Sequence, residues 1–212
     1  MRVVPVDDFV KYVTPQAENC PDFVVRREVI STVAEICRET GCITAESCFA
    51  TIPGMAEYDI PLADGLHVEM VRQAYCDGLR LQSVRLDELS AAMRGTDWFE
   101  KAGKPLYYTF KRLDYIRLIP RPEAEAFVRL DVLVTVGRDT KQIPAQFFED
   151  YLDTVVAGAL SRIFRIAGQT YTNYQLADRN LAIYEQGLVG IKADAQRDFT
   201  RSPGRVKINR IV

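Results

Sequence analysis

The stretch of sequence that decides the fold begins Pro144-Ala145-Gln146-Phe147-Phe148-Glu149-Asp150-Tyr151-Leu152-Asp153 and continues to Asp198. In its first half, apolar residues recur at steps of three and four, which is the spacing of one helix face. They are Phe148, Tyr151, Leu152, Val155, Val156, Ala159, Leu160, Ile163 and Phe164. We predict one amphipathic helix, with Pro144 in its first turn and Gly168 at its C-terminal end.

The second half of this stretch predicts another long helix, which begins at Asn173 and ends near Asp198. The same spacing recurs at Tyr174, Leu176, Ala177, Leu181, Tyr184, Leu188, Ile191 and Ala195. Residues 168–172 leave only a short connection between the helices, and short connections join antiparallel neighbours. We therefore expect the two helices to pack antiparallel.

An earlier helix is predicted between Asp22, which suits an N-cap, and Gly41, which suits a C-terminal end. Its apolar stripe consists of Val25, Val29, Val33, Ile36 and Cys37. This helix is a natural third member of a bundle with the later pair. The residues before it carry Pro5, Pro15 and Pro21, and they predict an irregular arm that lies on another surface.

Between these helices, the sequence is rich in β-branched and aromatic residues and is divided by turn signals. Asp77-Gly78 is a type I′ hairpin signal, and a short helix is predicted over 86–94. The predicted strands are 49–52, 57–62, 68–76, 79–84, 106–111, 115–120 and 126–136.

The predicted fold class is α+β, with a helical bundle that combines the N-terminal helix with the C-terminal long helix pair and a β-rich domain inserted between them. The predicted parts are an N-terminal arm over 1–21, a bundle over 22–41 and 143–200, a β-rich insertion over 42–140 and an extended tail over 201–212.

Composition is that of an ordinary globular protein. The 212 residues are 48% apolar and 26% charged, with a net charge of −2, so no global charge steers the chain to nucleic acid or to an anionic membrane. The sequence shows neither a signal peptide nor an apolar run of about 18 residues. We expect no membrane contact and a protein that stays in the cytoplasm where it is made.

The cysteines predict free thiols. Five of them occur, an odd number at irregular spacing with no C-x-x-C pair: Cys20, Cys37, Cys42, Cys48 and Cys76. In a chain of this length such residues are typical of a reducing compartment, with several buried as small apolar side chains.

No catalytic constellation is recognisable. The single histidine, His67, begins an H-x-E sequence, but the P-C-x-x-C partner of a zinc deaminase is missing, so we interpret it as a half-exposed strand residue. Glu149, Asp150 and Asp153 suit the first turns of a helix, where acidic side chains complement the dipole. Glycine-rich phosphate loops are also missing. We predict no catalytic, metal or cofactor residues.

The C-terminal tail predicts a partner-binding segment. Ser202-Pro203-Gly204 ends the helix, and basic and apolar residues alternate after it, as in a strand that adds to a neighbouring sheet or lies in a groove. The alternative is a frayed chain end. The candidate partner-binding residues are Arg201, Arg205, Val206, Lys207, Ile208, Arg210, Ile211 and Val212.

The order of segments in the second half resembles a known family. The sequence Trp98-Phe99-Glu100-Lys101-Ala102-Gly103-Lys104-Pro105-Leu106-Tyr107-Tyr108-Thr109 is followed by Tyr115-Ile116-Arg117-Leu118-Ile119-Pro120-Arg121-Pro122, a long strand, Ile143-Pro144 and a helix containing Ala157-Gly158-Ala159-Leu160. Over roughly Trp98 to Ala195, this order is similar to the head-to-tail adaptors of tailed bacteriophages, of the tail-tubular or gatekeeper type.

The resemblance implies a structural virion protein in the neck between capsid and tail. Such a protein forms a homo-oligomeric ring, usually of twelve copies, beneath the portal protein. It would connect the portal to a tail or nozzle protein and line part of the DNA channel, with non-specific contact to passing DNA. The resemblance implies that the tail reaches the portal or the adjacent subunit.

Two other function classes stay open from the residues alone. A small cytosolic enzyme or ligand-binding protein would place a pocket among Tyr107, Tyr108, Tyr115, Tyr171, Tyr174 and His67. An independent nucleic-acid binder would use the basic tail with Arg162, Arg165 and Lys192, although the balanced total charge disfavours it.

Overall fold

A computed structural model describes residues 2–85, 101–111 and 114–197. They form a mixed α+β structure with five α-helices in the described part. These are α1 (Val6–Val13), α2 (Asp22–Thr40), α3 (Gln146–Glu149), α4 (Leu152–Ile163) and α5 (Tyr174–Gln196). The predicted helix over 86–94, the start of the Trp98 segment and the predicted tail over 201–212 lie outside the described residues.

The described strands are β1 (Val3–Pro5), β2 (Thr44–Ala50), β3 (Glu57–Asp59), β4 (Leu66–Cys76), β5 (Leu79–Arg80), β6 (Gln82–Ser83), β7 (Ala102–Gly103), β8 (Tyr107–Lys111), β9 (Tyr115–Ile119), β10 (Arg121–Pro122), β11 (Phe127–Val136) and β12 (Gln142–Pro144). Most of the predicted strands are present, but the one predicted over 49–52 is misplaced, because the strand there runs from Thr44 to Ala50, and β1, β7, β10 and β12 were not predicted. The Asp77-Gly78 hairpin is confirmed, because both residues have the positive φ angles of a type I′ turn, 47° and 77°.

Two four-stranded sheets form the β-rich part, in the orders β2-β11-β4-β5 and β3-β9-β8-β6. Alternate residues of β11, from Val128 to Val136, are buried, and the residues between them are more exposed. The buried face meets the second sheet, since the Phe49 and Tyr58 rings stack 5.1 Å apart and the Tyr108 hydroxyl donates to the Val71 carbonyl.

The predicted strand over 79–84 is wrong as a single strand. Its first part, β5, pairs with β4, whereas its second part, β6, pairs with β8 of the other sheet. Leu81 lies between them, is buried, and donates its amide to the Ala74 carbonyl. The segment crosses from one sheet to the other because this buried leucine anchors the step.

Helix α2 begins and ends where the sequence predicts, but its N-cap residue differs from the predicted one. Gly41 adopts the left-handed conformation at φ 61°, and its amide donates to the Cys37 carbonyl at 2.9 Å. At the other end Pro21, and not Asp22, occupies the N-cap position, and Asp22 is the first helical residue. Helix α2 packs on the far side of β11, where the Thr135 hydroxyl donates to the Ala34 carbonyl.

The single helix predicted from Pro144 to Gly168 is wrong, because it is interrupted before Leu152. Pro144 belongs to β12, which pairs with β1, and the chain then forms the short α3. At Tyr151 the backbone leaves the helical region, with φ −126° and ψ 18°. The buried Tyr151 ring packs edge-on against Phe147, so one apolar face continues across two helices.

The irregular N-terminal arm is also a wrong prediction. Residues Val3–Pro5 form a strand, and α1 follows directly, with Pro5 as its N-cap residue. Val6, Phe9 and Val13 of α1 are buried at helical spacing. Proline is tolerated at the start of a helix, so Pro5 begins this element and does not prevent it.

Helices α4 and α5 pack closely and run antiparallel. A Cβ atom added at Gly158 would meet the Tyr184 ring, and one added at Gly187 would meet the Thr154 side chain. The two contacts pair the higher residue number on one helix with the lower number on the other, so the helices run in opposite directions. Asn173 caps α5, since its side chain accepts a hydrogen bond from the Leu176 amide at 3.1 Å.

Candidate partner-binding surfaces

The end of the β-rich part carries an exposed apolar group, which we call the apolar tip. It consists of Ile52, Met55, Leu79 and Phe127, with exposed fractions of 58, 43, 50 and 55%. Strand pairing brings them together, because β2 ends where β11 begins and β5 turns back beside them. The backbone here is well held, since the Phe127 amide donates to Asp77 Oδ1 at 2.9 Å. Exposed apolar side chains grouped at one end of a domain are typical of an interaction site.

Helix α5 presents a second exposed apolar stripe. Its buried stripe is narrow and recurs every seven residues, at Ala177, Tyr184 and Ile191. Leu176 and Ile183 recur at the same interval one residue earlier, and both are exposed. A helix that buries one stripe and exposes another at the same spacing has a free face for packing.

The outer edge of β2 is unpaired in the described structure. Strand β2 is the first strand of its sheet and pairs only with β11. On the face of this sheet, Glu46 lies directly opposite Asp131. Neither carboxylate has an ion-pair partner among the described residues.

His67 lies in a groove of about 680 Å³ between α2 and the ends of β4 and β11. His67 confirms the prediction of a half-exposed strand residue, since it lies on β4 with 58% of its side chain exposed. Its Nδ1 lies 2.8 Å from Asp114 Oδ2. The other Asp114 oxygen accepts the Val68 amide at 2.5 Å. Asp114 therefore ties β4 to the start of β9, which explains His67 structurally.

The residues of the enzyme alternative do not gather in this groove. The groove is lined by Arg27, Ile30, Ser31, Ala34, Arg38, His67, Glu69, Thr135, Val136, Gly137, Arg138, Asp139 and Arg162. Tyr108 is buried between the sheets, and Tyr174 is exposed at the start of α5. Within the described ranges, no cluster of three or more histidine, cysteine or carboxylate side chains has the geometry of a metal site.

The basic residues of the nucleic-acid alternative are partly neutralised within the chain. Arg162 forms an ion pair with Glu35, and Arg165 forms one with Asp178 at 2.8 Å. Lys192 is exposed on α5.

The free thiols are confirmed for all five cysteines. Cys20, Cys37, Cys42 and Cys76 are buried, and Cys48 is exposed on β2. Burial raises the pKa of the Cys76 thiol, which makes it a poor nucleophile.

The protein-family comparison decides the class of protein. The family model described as SU10 adaptor protein matches residues 11–207, which is most of the chain. The chain belongs to the SU10 adaptor protein family. No individual curated protein shows significant sequence similarity to it.

Membership of this family identifies a bacteriophage head-to-tail adaptor, which confirms the resemblance found over the second half of the sequence. The match also covers the first half, where no sequence motif pointed to the family. The adaptor has a structural role in the virion neck, and the family implies interaction with portal and tail components. In the described part of the adaptor, no helix has the length and apolarity of a membrane span.

The apolar tip and the free β2 edge of the adaptor were missed by sequence reasoning. Ile52 and Met55 share one turn, but Leu79 and Phe127 belong to two other segments, so only strand pairing reveals that the four are neighbours. The signal available in the sequence was weaker: Phe127 and Leu79 are large apolar residues immediately beside turn residues, where exposure is common.

Proposed function

We propose that the adaptor forms a homo-oligomeric ring of twelve copies beneath the portal, connects the capsid to the tail or nozzle protein, and lines part of the DNA channel. The observation that carries this proposal is the family match over residues 11–207. The exposed apolar tip and the second stripe of α5 support it, because a ring subunit needs two different contact faces. Contact with passing DNA would be non-specific.

We propose that the domain boundaries of the chain are those predicted from the sequence. Residues 22–41 and 143–200 act as the helical bundle, and residues 42–140 form an inserted β-rich domain. Residues 1–21 form an N-terminal arm that is folded and not irregular, since β1 pairs with β12 and Phe9 of α1 is buried. Contacts of α2 with α4 and of α4 with α5 support the bundle. Contacts of α2 with β11 hold the insertion against it.

We also propose that the tail over 201–212 docks on the portal or on the neighbouring subunit. The basic residues Arg201, Arg205, Lys207 and Arg210 would supply charge, and Val206, Ile208, Ile211 and Val212 would supply apolar contact. The proposal includes no chemistry and no cofactor, and it places synthesis of the chain in the host cytoplasm.

Electron microscopy of the purified chain mixed with the portal protein of the same phage tests the ring. We expect twelve-fold rings seated on portals, and a mass measurement that rises from the free chain to a large assembly. A small fixed oligomer that ignores the portal would contradict the proposal and favour the enzyme alternative.

Removal of residues 201–212 tests the tail. We expect a chain that folds as the full-length protein does, by circular dichroism, but no longer sediments with portal rings. Unchanged co-sedimentation would refute the portal contact of the tail and leave the ring proposal standing.

A further inference from the structure

The free edge of β2 offers backbone groups for an additional strand. The Val134 amide donates to the Ile43 carbonyl at 3.1 Å, and the Thr51 amide donates to the Ala126 carbonyl at 2.8 Å. Backbone groups of an antiparallel strand point to alternate sides, so those of the even-numbered residues between them face away from β11. The amides of Thr44, Glu46 and Cys48 have no backbone partner among the described residues.

Two carboxylates beside this edge, those of Glu46 and Asp131, have no ion-pair partner among the described residues, although Glu46 accepts a hydrogen bond from the Cys48 thiol at 3.6 Å. Glu46 lies directly opposite Asp131, and like charges at directly opposed positions destabilise a sheet. The nearest arginine along β11, Arg129, is engaged elsewhere, with its guanidinium carbon 5.0 Å from the centre of the Tyr75 ring. A basic side chain on an added strand would reach this pair.

A groove of about 500 Å³, lined by both apolar and polar residues, lies along the same edge. It is lined by Thr44, Ala45, Glu46, Pro61, Leu62, Ala63 and Leu66. Successive side chains of β2 point to opposite faces, so Ala45 borders the groove from one face and Glu46 from the other. An added strand with apolar side chains on the Ala45 face and basic ones on the Glu46 face would contact both the apolar part of the groove and the carboxylates.

The C-terminal sequence Arg205-Val206-Lys207-Ile208-Asn209 has this alternation. We propose that, in the free chain, this segment adds to the outer edge of β2 of the same molecule. Val206 and Ile208 would then face Ala45 and Leu62 in the groove, and Arg205 or Lys207 would lie beside Glu46. A basic, alternating strand meets an acidic, unpaired edge, so backbone pairing and charge favour the same occupant.

The end of α5 lies close to the beginning of β2. Gly187 of α5 lies against Thr154 of α4, and the two helices run antiparallel, so the last turns of α5 lead toward the residues that precede α4. Of those residues, Gln146 and Asp150 line one groove with Cys42 and Thr44 at the beginning of β2. From Arg197 to Arg205, eight residues reach up to about 27 Å when extended. A short tether gives a high effective concentration, which favours the segment of the same chain over that of a second copy.

The proposal concerns the chain before assembly and does not rest on the proposed portal contact. An unpaired edge strand is a template for aggregation, and a tail that covers it keeps the free chain separate. The same segment would leave β2 when a partner captures it.

Amide exchange of the free chain, without portal, tests the proposal. The full-length chain is compared with a chain ending at Thr200. We expect the Glu46 and Cys48 amides to exchange about tenfold more slowly in the full-length chain. Alkylation of the exposed Cys48 thiol gives a second readout and should become faster after truncation.

Two variants sharpen the test. Val206→Pro combined with Ile208→Pro removes two amides from the proposed strand and should match the truncation, whereas Thr200→Pro, outside the strand, should leave protection unchanged.

A labelled peptide of residues 201–212 should bind the truncated chain about tenfold more weakly after Glu46→Lys. Glu123→Lys is the control for that change.

Equal exchange of β2 in the full-length and truncated chains would overturn the proposal. Protection that appears only at high protein concentration would assign the strand to a second copy, which overturns the same-chain contact. Loss of portal docking with intact β2 protection would leave this inference standing and refute only the portal contact.

Discussion

The ring of Tyr184 lies directly against Gly158, at the point where α2, α4 and α5 meet. A Cβ atom at position 158 would lie 2.7 Å from Cδ2 of Tyr184 and 2.5 Å from Cγ2 of Thr32. Both distances are well below van der Waals contact, and both neighbours are buried. The three helices therefore approach as closely as they do because residue 158 has no side chain.

We expect Gly158→Ala to destabilise the fold. An added methyl group normally stabilises a helix by up to about 1 kcal/mol, but overpacking a core costs about 1–3 kcal/mol. The net change should lower the free energy of unfolding, measured by urea denaturation. The matched control is Gly190→Ala on α5, where nothing lies within 4 Å of the added atom.

The control should stabilise the protein slightly, because Gly190 lies in the interior of an exposed helix face. If Gly158→Ala and Gly190→Ala shift the urea midpoint in the same direction, the close helix contact is not what residue 158 provides.

The buried Tyr184 hydroxyl should make the stability of the fold depend on pH in the alkaline range. It is buried and has no hydrogen-bond partner in the part of the chain that the structure describes. Burial raises the pKa of Tyr184 above its value in the unfolded chain. The unfolded state therefore loses this proton at a lower pH than the folded state does. The free energy of unfolding is not reduced by this group below about pH 10, and it falls as the pH rises further.

Tyr184→Phe should weaken this alkaline loss of stability and should cost little at neutral pH. Removing a buried hydroxyl that has no partner is close to neutral or stabilising by about 1 kcal/mol. The measurement is the free energy of unfolding at neutral pH and above pH 10 for both proteins. A neutral-pH loss of several kcal/mol would mean that the hydroxyl has a partner in the native state.

Sequence reasoning found the elements with strong local signals and missed those set by pairing. The spacing of Val25, Val29 and Val33 and the glycine at 41 decided α2 locally. The break at Tyr151 had no such signal, because the apolar spacing continues through it. Pairing of β1 with β12 withdraws Pro144 from the helix, and only the tertiary structure shows that contact.

Asp114 stabilises the connection between β8 and β9. Its backbone has a positive φ of 64°, its carboxylate accepts the Val68 amide and approaches His67, and its carbonyl accepts the Ile60 amide at 2.8 Å. We expect Asp114→Ala to lower the free energy of unfolding by about 1–3 kcal/mol, because the Val68 amide loses its acceptor and alanine disfavours this φ.

Asp114→Asn is the control for that change. Asparagine tolerates the same backbone conformation and keeps an acceptor for Val68, so it should recover most of the loss. Equal destabilisation by alanine and asparagine, measured by thermal unfolding, would show that charge and not the hydrogen bond dominates at this position.

The surfaces of the adaptor could be predicted less well than its elements. The tail was recognisable because its pattern is continuous in sequence, from Arg205 to Val212. The apolar tip was not, because Ile52 and Phe127 become neighbours only when β2 pairs with β11. An interaction surface assembled from separate strands leaves no periodic signal in any one of them.

Substitutions in the apolar tip should weaken assembly with little effect on the stability of the fold. Ile52→Thr combined with Phe127→Thr replaces exposed apolar side chains with a residue that keeps strand propensity. Since both side chains are more than half exposed, at 58 and 55%, the free energy of unfolding should change only slightly. Assembly with portal and tail components should nevertheless weaken about tenfold, because exposed apolar patches at interfaces supply binding energy. The matched variant, Ile52→Val with Phe127→Leu, keeps the apolar surface and should assemble as the native chain does. Co-sedimentation with neck components measures the difference, and equal assembly of the threonine and conservative variants would remove the tip from the interface.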